Sequence, residues 1–176
     1  FAEQGGNFID TSVNYTDGTS ETFVGEFLKD AGRDRFVVAS KYTLTQPTAT
    51  DPNSGGNSRK NMMQSLERSL KRLQTDYIDL YQAHVDDPKT PMEETLRAFD
   101  VLVKSGKVRA IGSSNFSGAR MREALATSQQ LGLARYECTQ PFYNMIKRED
   151  YERDLEPVML EHQVGCIPYS SLASGF

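Results

Sequence analysis

Residues Asn57 to His84 read NSRKNMMQSLERSLKRLQTDYIDLYQAH, and this stretch holds the pattern that decides the fold. Met62, Leu66, Leu70 and Leu73 recur at spacings of four and three, one face of a helix that opens at Asn57-Ser58 and closes with Arg72. From Tyr77 to His84 the period changes to a short apolar run rich in β-branched and aromatic residues, a strand that ends on an ionisable group. Working outward, the same unit repeats. Strand-like runs occupy Asn7–Asp10, Phe36–Lys41, Val108–Ser113, Tyr136–Gln140 and Val164–Ser170. A helix carrying Met92, Leu96, Phe99 and Val103 starts at Thr90-Pro91 and stops at Ser105-Gly106, and weaker helical patterns cover 20–31, 118–131 and about 151–162.

Strand and helix in unbroken alternation require a parallel sheet, which closes either as a doubly wound open sheet or as a (β/α)8 barrel. The open sheet announces itself by a glycine-rich turn after its first strand, and neither GxGxxG nor GxxxxGK[ST] occurs. The barrel gathers functional groups at the C-terminal ends of its strands. Here those ends carry Asp10, Lys41, His84, Ser113-Ser114-Asn115, Gln140 and Tyr169-Ser170. The expected fold is therefore a (β/α)8 TIM-type barrel with about six of its eight strands in this chain. The opening Phe1-Ala-Glu-Gln-Gly-Gly6 reads as a helix end and its glycine stop, so a single barrel domain over 1–176, cut at both ends, is expected.

Composition narrows the partners. The chain of 176 residues is 38% hydrophobic and 25% charged, enough to bury a core. Its net charge of −4 gives no basis for nucleic acid or an anionic membrane as partner. No apolar run approaches the roughly 20 residues a membrane span needs. Cys138 and Cys166 have no metal-ligand spacing, which points to reduced thiols and a cytoplasmic location, with no metal site expected. His162 reads as a helix-end residue, and Asp86-Asp87 as a solvated surface pair.

Asp10, Lys41 and His84 lie on three successive strands and become lateral neighbours at one mouth of a barrel, with Tyr15 on the loop leaving the first. An ammonium beside the Tyr15 phenol is expected to lower its pKa, making it a proton donor to a carbonyl oxygen near neutral pH, with His84 orienting the substrate or sharing the proton. Taken singly, each has a plainer role: a strand-end cap for Asp10, a solvated edge for Lys41, a structural histidine for His84, loop packing for Tyr15. Their shared placement favours the site.

Gly6-Asn-Phe-Ile-Asp-Thr-Ser-Val-Asn-Tyr15, followed by Gly18-Thr-Ser-Glu21 and Val24-Gly25, resembles the opening signature of the aldo-keto reductases. Leu70-Lys-Arg-Leu-Gln-Thr-Asp-Tyr-Ile-Asp-Leu-Tyr-Gln-Ala-His84 and Gly106-Lys-Val-Arg-Ala-Ile-Gly-Ser-Ser-Asn-Phe116 resemble their later motifs, in the right order. The resemblance implies an NADP(H)-dependent oxidoreductase on a (β/α)8 barrel, acting on a small-molecule carbonyl substrate. It implies a catalytic tetrad of Asp10, Tyr15, Lys41 and His84, with Ser114, Asn115 and Gln140 on the nicotinamide carboxamide. Tyr169 would stack on the nicotinamide ring and the loop Ser170-Ser171-Leu172 would follow the pyrophosphate.

Two departures stand out. The family's segment for the adenosine 2′-phosphate has no counterpart here, so the preference for NADP(H) comes from the resemblance alone. Ser171 stands where relatives often carry proline. Other readings remain open at this point: an NADP(H)-binding regulatory subunit of the potassium-channel β type, an aldolase with Lys41 as Schiff-base nucleophile, and an incomplete, inactive barrel.

Overall fold

Six short strands lie side by side in chain order, every neighbouring pair parallel: β1 (Phe8–Asp10), β2 (Val37–Tyr42), β3 (Ile78–Ala83), β4 (Val108–Ser114), β5 (Tyr136–Gln140) and β6 (Gly165–Cys166). Helices α1 (Thr19–Ala31), α2 (Arg59–Leu73), α3 (Met92–Lys104), α4 (Gly118–Leu131) and α5 (Glu156–His162) alternate with them. The computed structural model describes residues 1–45 and 48–175. The curled sheet with helices between its strands is a partial (β/α)8 barrel, as the alternation requires.

The helices begin and end where the sequence sets their caps. Ser58 and Ser117 accept from the backbone N–H groups of Asn61 and Arg120 at the starts of α2 and α4. Gln74 and Gly132 close the same helices in the left-handed conformation. Gly25 lets α1 lie against the end of α2, since a Cβ there would sit 2.3 Å from the Arg72 carbonyl oxygen.

The sheet and the helices meet over Val38, Leu66, Leu73, Leu96, Phe99 and Met121, all essentially unexposed. Phe99 of α3 touches Tyr42, Tyr81 and Tyr136 edge to face, with ring centroids 5.7–6.1 Å apart. Tyr42 and Tyr81 thus point to the helices. Because side chains alternate along a strand, Lys41 and Gln82, paired in register across β2 and β3, point to the opposite side. That side carries the site.

Two expected elements differ. The strand expected over Val164–Ser170 is Gly165–Cys166 alone. Past it the pairing goes on as isolated bonds, Ile167 N–H to Thr139 O and Tyr169 N–H to Pro141 O, because Pro141 has no N–H to give to the Ile167 carbonyl between them. The helix expected over 151–162 begins as a π turn, Tyr151–Leu155, before α5. Pro157 explains this: it has no N–H, and its ring opposes the carbonyl four residues back, so the ladder shifts register.

The segment between β2 and α2 is fastened at Thr43 and Asn57; of it, Gln46 and Pro47 lie outside the described residues. Asn57 is buried, accepts a hydrogen bond from the Thr43 hydroxyl at 2.6 Å, and donates through its backbone to Asp87 and through its amide to Val85 O. Asp86 and Asp87 are accordingly not a solvated pair. Asp86 is ion-paired with Arg120, and Asp87 accepts from Asn57, Lys89 and Thr90, which holds its carboxyl below the usual range against the opposing effect of burial. His162 ends α5 as expected. Among the described residues no helix is long and apolar enough to cross a membrane, and no cluster of His, Cys, Asp and Glu could hold a metal ion.

Candidate active site

Lys41 is the hub. Its side chain is 1% exposed, and its Nζ donates to Asp10 Oδ1 and Oδ2 at 2.8 and 2.7 Å and to Thr11 O at 2.9 Å. Strand pairing produces this: Asp10 ends β1 in register with Ala39, two residues before Lys41 on β2. Burial pulls the Lys41 ammonium down from its ordinary value, and the Asp10 charge opposes that pull.

Tyr15 opens the short turn after β1, 37% exposed, with its hydroxyl 3.4 Å from Lys41 Nζ. Its pKa lies above the ordinary value of a phenol, because burial and then the Asp10 carboxylate both disfavour the phenolate. This corrects the expectation of a lowered pKa. The Lys41 charge is engaged by Asp10 at shorter range, so the phenol meets a near-neutral pair rather than a free cation.

The turn itself is braced from behind. Glu21, fully buried in α1, accepts from Ser40 Oγ at 2.6 Å and pairs with Arg72, whose guanidinium also donates to Val13 O. That guanidinium fills the space where Gly18 would carry a Cβ, 2.2 Å from it.

His84 stands just past β3. Its Nδ1 lies 3.2 Å from Ser12 Oγ, and its ring meets the Tyr15 ring edge to face at 5.7 Å. Burial and then Lys41 lower its pKa to about 4, against Asp10, so the imidazole is neutral near pH 7.

The later strand ends join the same network. Asn115, in the left-handed conformation (φ 56°), donates to His84 O and to Ser114 Oγ at 3.0 Å each, and its Oδ1 accepts from the Tyr169 hydroxyl at 2.8 Å. Ser114 donates to Gln140 O at 2.8 Å, and Gln140 Nε2 donates to Asp10 Oδ2 at 3.1 Å. Asp10, Tyr15, Lys41, His84, Ser114, Asn115, Gln140 and Tyr169 are thus one bonded group.

Ser170 and Leu172 stand apart from that group. The Ser170 carbonyl accepts from Asn144, and the Leu172 side chain is largely in solvent. Ser171 lines a shallow depression with Tyr143, Asn144, Met145, Arg148 and Pro168. Two residues that sequence reasoning passes over belong to the site: Ser12, which fixes the His84 ring, and Thr43, whose hydroxyl accepts the His84 N–H. Ser12 sits inside the quoted opening motif, whereas nothing in the sequence distinguishes Thr43.

The aldo/keto reductase family matches residues 1–176. This chain belongs to the aldo/keto reductases. It is 39% identical over 174 residues to Aldo-keto reductase YhdN of Bacillus subtilis, covering 98% of this chain and 50% of that protein. To Norsolorinic acid reductase B of Dothistroma septosporum it is 37% identical over 180 residues, 99% of this chain and 46% of that protein. A third relative, the Putative voltage-gated potassium channel subunit beta of Schizosaccharomyces pombe, is 37% identical over 171 residues, 96% of this chain and 49% of that protein. The chain spans about half the length of these relatives. Within an aldo/keto reductase, the bonded group described above occupies the C-terminal mouth of the barrel, where such folds keep their chemistry.

Proposed function

We propose that the protein reduces aldehydes or ketones to alcohols with NADP(H), using Tyr15 as the proton donor. The observation that carries this reading is the chain of contacts from Asp10 through Lys41 to the Tyr15 hydroxyl, at 2.7–3.4 Å. A phenol whose pKa is raised keeps its proton at neutral pH and has it to give. After transfer, the Lys41 ammonium at 3.4 Å is the nearest stabiliser of the phenolate, in a site where fixed charges act strongly. Neutral His84, edge to face with the Tyr15 ring, would orient the carbonyl.

The strand-end amides fit a nicotinamide carboxamide chemically. Asn115 and Gln140 each bring a donor and an acceptor, and Ser114 a hydroxyl, on two adjacent strand ends. When bound, the cofactor supplies the hydride to the carbonyl carbon. Asn115, Ser114 and Gln140 would hold its carboxamide and Tyr169, partly exposed, would cover the ring. Ser170 and Leu172 belong to the loop that would follow the pyrophosphate. The preference for NADP(H) over NAD(H) rests on the family resemblance. A cytoplasmic location is part of the same reading, supported by the two free thiols.

The Schizosaccharomyces pombe relative supports a second reading, an NADP(H)-binding regulatory subunit with little turnover. Measuring NADPH consumption with reactive aldehydes alongside NADPH binding by fluorescence separates the two. Turnover supports the reductase; tight binding without turnover across the panel supports the regulatory subunit. The aldolase alternative is weakened by the three oxygens around Lys41 Nζ, which favour an ammonium over a nucleophilic amine.

A further inference from the structure

Thr43 is a buried, β-branched residue at φ 87°, a backbone conformation that β-branched side chains rarely adopt. Such strain persists only where the surroundings over-determine it, and it concentrates at functional sites. Its surroundings do so here. The Thr43 hydroxyl donates to Asn57 Oδ1 at 2.6 Å and accepts the His84 backbone N–H at 3.1 Å, while its carbonyl accepts from Gly56 N–H at 2.9 Å. Asn57 in turn holds Val85 O and Asp87. Thr43 therefore ties the end of β2, two residues past Lys41, to the residue that follows β3.

We propose that Thr43 is a positioning residue that holds His84 at the site, its strained backbone being what brings its hydroxyl under the His84 N–H. Without that bond, His84 keeps its ring contact to Ser12 and its carbonyl contact to Asn115 but loses the anchor on the β2 side. The ring then moves away from its neighbours toward water. The charged and titratable groups facing it are Asp10 from β1, Tyr15 from the following turn and Lys41 from β2.

Thr43→Gly tests this directly, because glycine adopts φ 87° without strain yet brings no hydroxyl. The readout is the titration of the His84 ring by NMR, its resonance identified by its loss in His84→Gln. In Thr43→Gly the midpoint is expected to rise from about 4 by about one unit toward the ordinary value of a histidine. Thr43→Ser, which retains the hydroxyl, is expected to titrate like the parent. An unshifted His84 in Thr43→Gly, or an equal shift in Thr43→Ser, overturns the proposal. Should the glycine variant not fold, Thr43→Val, nearly the same shape without the hydroxyl, carries the same comparison.

A kinetic arm rests on the reductase reading: kcat for carbonyl reduction is expected to fall about tenfold in Thr43→Gly with the KM for NADPH unchanged. If the unaltered protein reduces no carbonyl, that reading fails, and the ring titration still decides the role of Thr43.

Discussion

Gln140 Nε2 donates to Asp10 Oδ2 at 3.1 Å although 130 residues separate them. The bond joins the end of the fifth strand to the end of the first and draws the intervening strand ends into one arc. Asp10 is the residue on which both halves of the site converge, Lys41 from the second strand and Gln140 from the fifth.

On the proposed reading, the residues that would hold the carboxamide can be tested apart from those that would transfer the proton. Asn115→Ala removes bonds to His84 O, Ser114 and Tyr169 but touches neither Lys41 nor Tyr15. The KM for NADPH is expected to rise about tenfold, the equivalent of roughly one good hydrogen bond, with kcat changed less than KM. Steady-state kinetics with varied NADPH checks this.

Acid is expected to weaken the fold through His84. Its folded pKa of about 4 lies below the ordinary 6.5, so between these values the unfolded chain binds more protons than the folded one. The stabilisation is complete above about pH 6.5 and is lost as the pH falls toward 4. The partly hydrated ring discounts the loss to on the order of 1–2 kcal/mol. Denaturant melts at pH 7 and pH 5 are expected to differ less in His84→Gln than in the parent.

The brace behind the Tyr15 turn is expected to be costly to break. Arg72→Met leaves Glu21 fully buried with its charge uncompensated and removes a donor from Val13 O. A loss of about 3 kcal/mol is expected. Arg72→Met combined with Glu21→Gln, which also removes the buried charge, is expected to recover part of it, read as the denaturation midpoint.

In the core, Phe99→Ala empties the point where Tyr42, Tyr81 and Tyr136 meet α3. The expected loss is about 3–5 kcal/mol by thermal or chemical unfolding. A loss under about 1 kcal/mol would mean that the sheet and helices do not meet there as described.

Periodicity made the architecture readable: the spacing of Met62, Leu66, Leu70 and Leu73 set α2, and the apolar run before His84 set β3. The meeting of Asp10, Lys41, His84 and Gln140 was readable because a parallel barrel brings strand ends together whatever their separation in sequence. What depended on three dimensions was not. The Tyr15 pKa moves up rather than down because burial and then the Asp10 carboxylate disfavour the phenolate. The fastening of Asp86 and Asp87 needed partners from α4 and from the loop after β2. The π turn before α5 and the shortness of β6 follow from prolines whose effect on the hydrogen-bond ladder shows only once the pairing is known. Thr43 was invisible because a backbone angle is not written in residue type.

The most direct test of the account is carbonyl reduction and NADPH affinity measured side by side in the protein and in Tyr15→Phe. The variant removes one oxygen, and with it the proton at the end of the Asp10–Lys41 chain of contacts. Reduction is expected to fall by ~10²–10⁴-fold while NADPH affinity stays within about twofold. Reduction at the parent rate in Tyr15→Phe would contradict the assignment of the proton donor.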